Sequence, residues 1–157
     1  MPTGLNIPFV SLALTAVVAG ILGGFAMIGV MRLIAQAQWA KFDMIIAVGS
    51  LATRTRENAF RAGVIIHGIS AIGFALLYSF IMWKYGLNHL PMAFFAGAAF
   101  GVVHGMVVSI LLVWLVAERH PLVEFREAGL AVGLVHFAGH VAYGAVVGLI
   151  VGITLAK

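Results

Sequence analysis

The chain contains no cysteine among its 157 residues. That absence excludes disulfides, thiolate metal sites, iron–sulfur ligation and cysteine nucleophiles together. Charge is scarce as well. Only 9% of residues are Asp, Glu, Lys or Arg, against about 25% in ordinary soluble domains. Nine basic and five acidic residues are too few to cover the surface of a soluble domain of this size. Intrinsic disorder is excluded by the opposite abundance, because disordered chains are poor in apolar residues. Here 63% are apolar or aromatic, a further 19 residues are glycine, and the mean hydropathy is +1.13. The composition is that of a polytopic membrane protein with a single domain spanning residues 1–157.

Four long apolar segments run over about residues 9–35, 59–83, 91–117 and 128–156. Each exceeds the ~20 residues that a helix needs to cross a ~30 Å hydrocarbon layer. Their length and continuity exclude barrel strands, so the expected fold is all-α, a four-helix up-down transmembrane bundle. The first segment is read as a retained helix. It has no basic residue before Arg32, and its apolar run outlasts the core of a signal peptide. Between the first two spans, about residues 42–52 are apolar but too short to cross. They predict a short interfacial helix with Asp43 as its N-cap, flanked at headgroup depth by Trp39 and Lys41. Pro91 suits the first turn of the third helix, and Pro121 ends it. Glu124 and Glu127 fall in the opening turns of the fourth helix, where negative charge suits the dipole. Short links predict antiparallel neighbours.

A sequence pI near 10.0 could signal nucleic-acid binding, but the basic residues sit between spans and form no stripe, so no nucleic-acid partner is expected. Lys41, Arg54, Arg56, Arg61, Arg119 and Arg126 flank one membrane face, with Arg32 snorkelling toward it. By the positive-inside rule the first and third loops are cytoplasmic and both termini lie outside, in a bacterial inner membrane.

Glycine recurs at helical spacing. Gly97, Gly101 and Gly105 lie on the third span and Gly144, Gly148 and Gly152 on the fourth. Gly20, Gly23 and Gly24 lie on the first, and Gly63, Gly68 and Gly73 on the second. Lipid supplies no hydrophobic drive for helix association, so such stripes predict a tight bundle, a homo-oligomer seam or a place in a larger membrane complex. Four of the six histidines lie within spans: His67, His104, His136 and His140. Ionisable groups inside a membrane usually face the bundle interior, and these four share the small-residue faces. Counted from the basic side at ~1.5 Å per residue, His67 and His136 are about 12 Å deep, and His140 and His104 about 18–20 Å. Two layers are therefore expected, His67 with His136 and His104 with His140.

Such imidazoles could bridge helices by hydrogen bonds, bind a metal ion, ligate a b-type haem or relay protons. His104 and His140 are the first choice as cofactor ligands, with His67 and His136 beside them as metal ligands. Met27 and Met31 could add thioethers, which favour Cu(I). Asp43 could add a carboxylate, and Tyr78 and Tyr143 could donate phenol hydrogen bonds. His89 and His120 fall in turns and are expected to be solvated, and Glu118 to pair with Arg119 or Arg126. There is no GxSxG, HExxH or phosphate loop, and no acidic residue lies within the spans, which points away from an enzyme and from a carboxylate-coupled transporter. Expected functions are metal handling or electron transfer. The alternatives are a non-catalytic scaffold subunit or a small oligomeric channel.

Ala19–Gly24, Asp43-Met44 with Gly49-Ser50, Gly101-Val102-Val103-His104-Gly105, and His140-Val141-Ala142-Tyr143-Gly144 with Gly148 resemble a loose family of uncharacterised four-helix bacterial inner-membrane proteins. The resemblance implies the four-helix architecture and a role for Asp43, His104 and His140 in a shared core. It implies no particular activity, and His136 lies outside the resembling pattern.

Overall fold

A computed structural model of the chain describes residues 9–36, 43–126 and 129–156. Trp39, Lys41 and Glu127 lie outside them, as do the first residue of the expected short helix, Phe42, and of the expected fourth span, Ala128. The described residues are all-α. Four helices are long and apolar enough to cross a membrane: α1 (Phe9–Gln36), α3 (Ala59–Lys84), α4 (Met92–Arg119) and α5 (Leu130–Thr154). By length and composition they make the chain a multi-pass membrane protein. The fifth, α2 (Met44–Thr53), is too short to cross.

Local chemistry sets the boundaries. Asp43 caps α2, its carboxylate accepting the N–H of Ile46 at 3.1 Å. Arg54 ends α2 in the left-handed region at φ 61° and returns its N–H to the Ser50 carbonyl. Near its C-terminus α4 relaxes into one π-turn over Leu112–Val116 and stops just before His120-Pro121.

The helices are neighbours in the order α3, α1, α5, α4, while α3 and α4 share only a thin contact. Although a short link joins those two, glycine decides which surfaces meet. A β-carbon at Gly97 would lie 2.7 Å from Gly148 Cα, and one at Gly144 would lie 2.9 Å from Gly101 Cα. Backbone therefore packs on backbone along the α4–α5 seam, which maximises dispersion contacts and the weak Cα–H···O bonds of close helices. Gly23 of α1 is covered by the Tyr143 ring and Gly20 by the α3 backbone at Ile72. Gly49 and Gly63 let α2 lie on the start of α3. The α3–α4 pair has no such matched seam, because Gly68 and Gly73 of α3 meet nothing within 4 Å among the described residues. A gap is left between these two helices at the level of the histidines.

The two ends are tied by polar contacts. At one, the exposed Arg56 and Glu124 pair, and His120 links the α4–α5 loop to α2. At the other, Thr15 and Thr154 are 3.0 Å apart, and Asn88 donates to the Leu155 carbonyl. His120 corrects an expectation: it is 1% exposed. The Leu122 N–H donates to its Nδ1 at 3.1 Å, so Nε2 carries the proton and donates to the Ala47 carbonyl at 3.1 Å. The ring packs edge-on against Phe125.

Candidate histidine site within the bundle

Three of the four intramembrane histidines converge. His67 of α3, His104 of α4 and His140 of α5 line one cavity of about 180 Å³ in the gap between α3 and α4, with Met27 of α1 and Tyr143 beside them. The α4 glycines bring the rings together. A β-carbon at Gly105 would lie 3.0 Å from the His140 Cβ, so α4 rides directly on α5. The His104 and His140 ring centroids are 4.6 Å apart, edge to face at 71°. Phe74 packs over His104 at 3.9 Å.

Hydrogen bonds fix the tautomers. His140 Nδ1 lies 2.7 Å from the His136 carbonyl, and a carbonyl only accepts, so Nδ1–H is the donor. His136 does the same toward the Val132 carbonyl at 2.8 Å. The Tyr78 hydroxyl lies 3.1 Å from the Phe100 carbonyl and 3.0 Å from His104 Nδ1. Its one proton goes to the carbonyl, so His104 Nδ1–H donates to the phenol oxygen. In both His104 and His140, Nε2 is left as the lone-pair nitrogen. An imidazole whose Nδ1–H is held by a carbonyl or hydroxyl is in the state that metal-binding histidines adopt. His67 Nε2 is buried and has no hydrogen-bond partner among the described residues, a state that costs about 1–3 kcal/mol if left uncompensated.

The remaining predicted residues distribute differently from the expectation. His136 does not line the inner cavity with His67. It is 1% exposed and faces a second cavity of about 370 Å³ bounded by α1, α2 and α5, with Met31, Arg32, Asp43 and Met44. Four residues turn a helix by about 400°, leaving a 40° difference in direction. That rotation aims His140 at α4 and His136 at α1 and α2. Asp43 is exposed, held as a cap, and belongs to the rim of that second cavity instead of the shared core. Tyr143 gives its hydroxyl proton to the Ala71 carbonyl and not to a histidine. Met27 and Met31 are both buried, at 3% and 8%, one in each cavity. Ser70 and Phe74 of the inner site were not singled out in the sequence, although they follow His67 at the i+3 and i+7 positions of one helical face.

The donor set bears on which metals fit. Among the described residues, no three His, Asp or Glu side chains are arranged to hold one ion, so a four-imidazole site is not formed. A haem is not accommodated either. The cavity is smaller than the ~300–1,000 Å³ usual for ligand pockets, and rings 4.6 Å apart leave no thickness for a macrocycle between them. The glycines that could have made that space are covered by the α5 backbone. No protein-family model, curated protein or solved structure matches this chain, so the site is read on its own chemistry.

Proposed function

We propose that the protein binds one soft, monovalent transition-metal ion, Cu(I), inside the membrane between His104 and His140, and serves metal handling or electron transfer. The observation that carries this reading is the pair itself: two imidazoles in contact at 4.6 Å, on separate helices, each with Nδ1–H already engaged. Met27 brings a thioether to the same cavity, and thioethers favour Cu(I). A d¹⁰ monovalent ion accepts two or three ligands, whereas structural zinc takes four. The cost of moving an ion out of water rises with the square of its charge. A site with neutral donors and no carboxylate in its lining therefore suits one positive charge better than two. His67 lines the same cavity without completing a three-imidazole ligand set.

The protein would follow an up-down course through a bacterial inner membrane with both termini outside, because the basic residues around Arg54, Arg56 and Arg119 mark the cytoplasmic face. It would work as a homo-oligomer or within a larger membrane complex. The uncovered Gly68 and Gly73 would admit the close approach of another helix. Because the chain has no cysteine, Gly73→Cys supplies a unique cross-linking position to test this.

The site is tested by anaerobic titration of detergent-purified protein with Cu(I) against a chromophoric Cu(I) chelator. One equivalent should bind, with nitrogen ligands near ~2 Å by X-ray absorption. His104→Ala and His140→Ala should each lose at least tenfold in affinity, and His89→Ala, at an exposed turn, should match the wild type. Folded wild-type protein that takes no Cu(I) from the chelator would overturn the reading. The scaffold alternative would then stand, in which the Tyr78–His104 bond ties α3 to α4 and the imidazoles of His136 and His140 are held within α5 by the Val132 and His136 carbonyls.

A further inference from the structure

The inner cavity and the larger one toward α2 are separated by a single turn of the α1–α5 seam. On the α1 wall, Met31 lines the outer cavity and Met27 the inner one. On the α5 wall, His136 lines the outer cavity and His140 the inner one. Both pairs are four residues apart, about 6 Å along the axis, so the two walls carry the same donor change at the same step. Between them lies Gly139. A β-carbon there would sit 3.0 Å from the Cγ of both Met27 and Met31, and 3.2 Å from the Met31 sulfur. The position is filled by two thioether side chains, the most adaptable in a core, with three rotatable bonds each. The outer cavity also receives Met44, and its rim holds Arg32 and Asp43. Their formal charges cancel, so its mouth has no net preference for cations or anions, and discrimination falls to the softness of the donors.

We infer that the outer cavity is a second, transient station for the same ion: a soft monovalent cation enters at Met31 and His136 and passes along the Met31–Met27 and His136–His140 rungs to the inner pair. This rests on the Cu(I) reading of His104 and His140. Each transfer exchanges one neutral donor for another, thioether for thioether and imidazole for imidazole. The ion keeps its charge and no proton or electron is required. The step fits within the reach of one methionine side chain.

The test compares rates with equilibria in full-length protein in detergent. Loading by buffered Cu(I) is followed by stopped flow in the wild type, Met31→Leu and Gly139→Ala. Met31→Leu conserves volume and shape, and Gly139→Ala pushes on both thioethers. Met31→Leu should keep the one-ion stoichiometry and an affinity within about twofold of wild type, since it removes no inner donor, and both variants should load and release at least tenfold more slowly. Met106→Leu, on the outer face of α4 at 52% exposure, should load at the wild-type rate. Wild type that loads and Met31→Leu that loads equally fast would overturn the route while leaving the inner site intact. Wild type that takes up no Cu(I) would overturn the inner site and the route with it.

Discussion

Replacing Gly101 by alanine adds one methyl group inside the α4–α5 seam, where the helix backbones meet. That β-carbon would lie 2.9 Å from Val141 Cα and 3.2 Å from the His140 carbonyl carbon, and closer still to the His140 oxygen. Carbon–carbon contacts are optimal near ~3.5–4.0 Å, so the helices must part by roughly 0.6 Å or more. The obstructing atoms are backbone and cannot rotate away. Overpacking of this kind costs about 1–3 kcal/mol, and the all-backbone contact places Gly101 at the upper end. Alanine returns about 0.5–1 kcal/mol by its better helix propensity. The expected net loss is about 2 kcal/mol. Gly29→Ala on α1 is the matched control, because nothing lies within 4 Å of that position among the described residues. It should therefore show only the propensity gain, about 0.5–1 kcal/mol in the opposite direction. Reversible unfolding in mixed micelles with increasing dodecyl sulfate, read by far-ultraviolet circular dichroism, measures both. The same displacement should weaken Cu(I) binding, since Gly101 is one turn from His104. Equal stabilities for Gly101→Ala and wild type, or an equal loss in Gly29→Ala, would refute the assignment of the seam.

Tyr78→Phe removes the oxygen that receives the His104 Nδ1–H and frees the ring to turn. Cu(I) affinity should fall about 10–100-fold, the usual effect of losing such a supporting bond, as read by chelator competition with helicity unchanged. Asp43→Ala should cost about 0.5–2 kcal/mol through loss of the α2 cap, while Asp43→Asn should be close to neutral because asparagine caps equally well. The same unfolding titration compares them. A reporter enzyme active only outside the cytoplasm, fused after Lys157, should be active, and a cytoplasm-only reporter there should be silent; the reverse result would invert the topology.

The number and extent of the long helices were legible because the bilayer imposes a length and composition rule that packing does not override. Asp43 was legible as a cap because the chemistry is local to α2. Helix adjacency was not. The short link before Pro91 favoured α3 against α4, yet the glycine stripes carried the stronger signal, since Gly97 and Gly101 meet Gly144 and Gly148 across α4 and α5. A stripe shows that a face is thin but not which other thin face it meets. His120 was misread for a related reason: a histidine in a turn is usually solvated, and only the position of α2 reveals the Ala47 carbonyl waiting for it. The grouping of His67 with His104 and His140, in place of His136, depended on azimuth around the axis as well as depth.

The glycine seam and the histidine pair cannot be treated as separate features. Gly101 and Gly105 bracket His104 on α4, and the atoms they press against belong to His140 and its neighbours Phe137 and Val141 on α5. Any side chain larger than hydrogen at either glycine moves the two imidazoles apart before it touches them. In a membrane, a polar group gains little from reaching the surface and must find its partner inside the bundle. The helix approach that glycine permits is what places one imidazole within reach of the other, and the Nδ1 bonds to His136 and Tyr78 then hold the ring nitrogens in a defined state. A bundle stabilised only by packing would need the glycines and would tolerate leucine or phenylalanine at positions 104 and 140. A buried imidazole at His140 and a half-buried one at His104, set beside the α4–α5 glycine contact with a thioether next to them, are a cost that packing alone does not require, and ligand binding of the kind proposed would repay it.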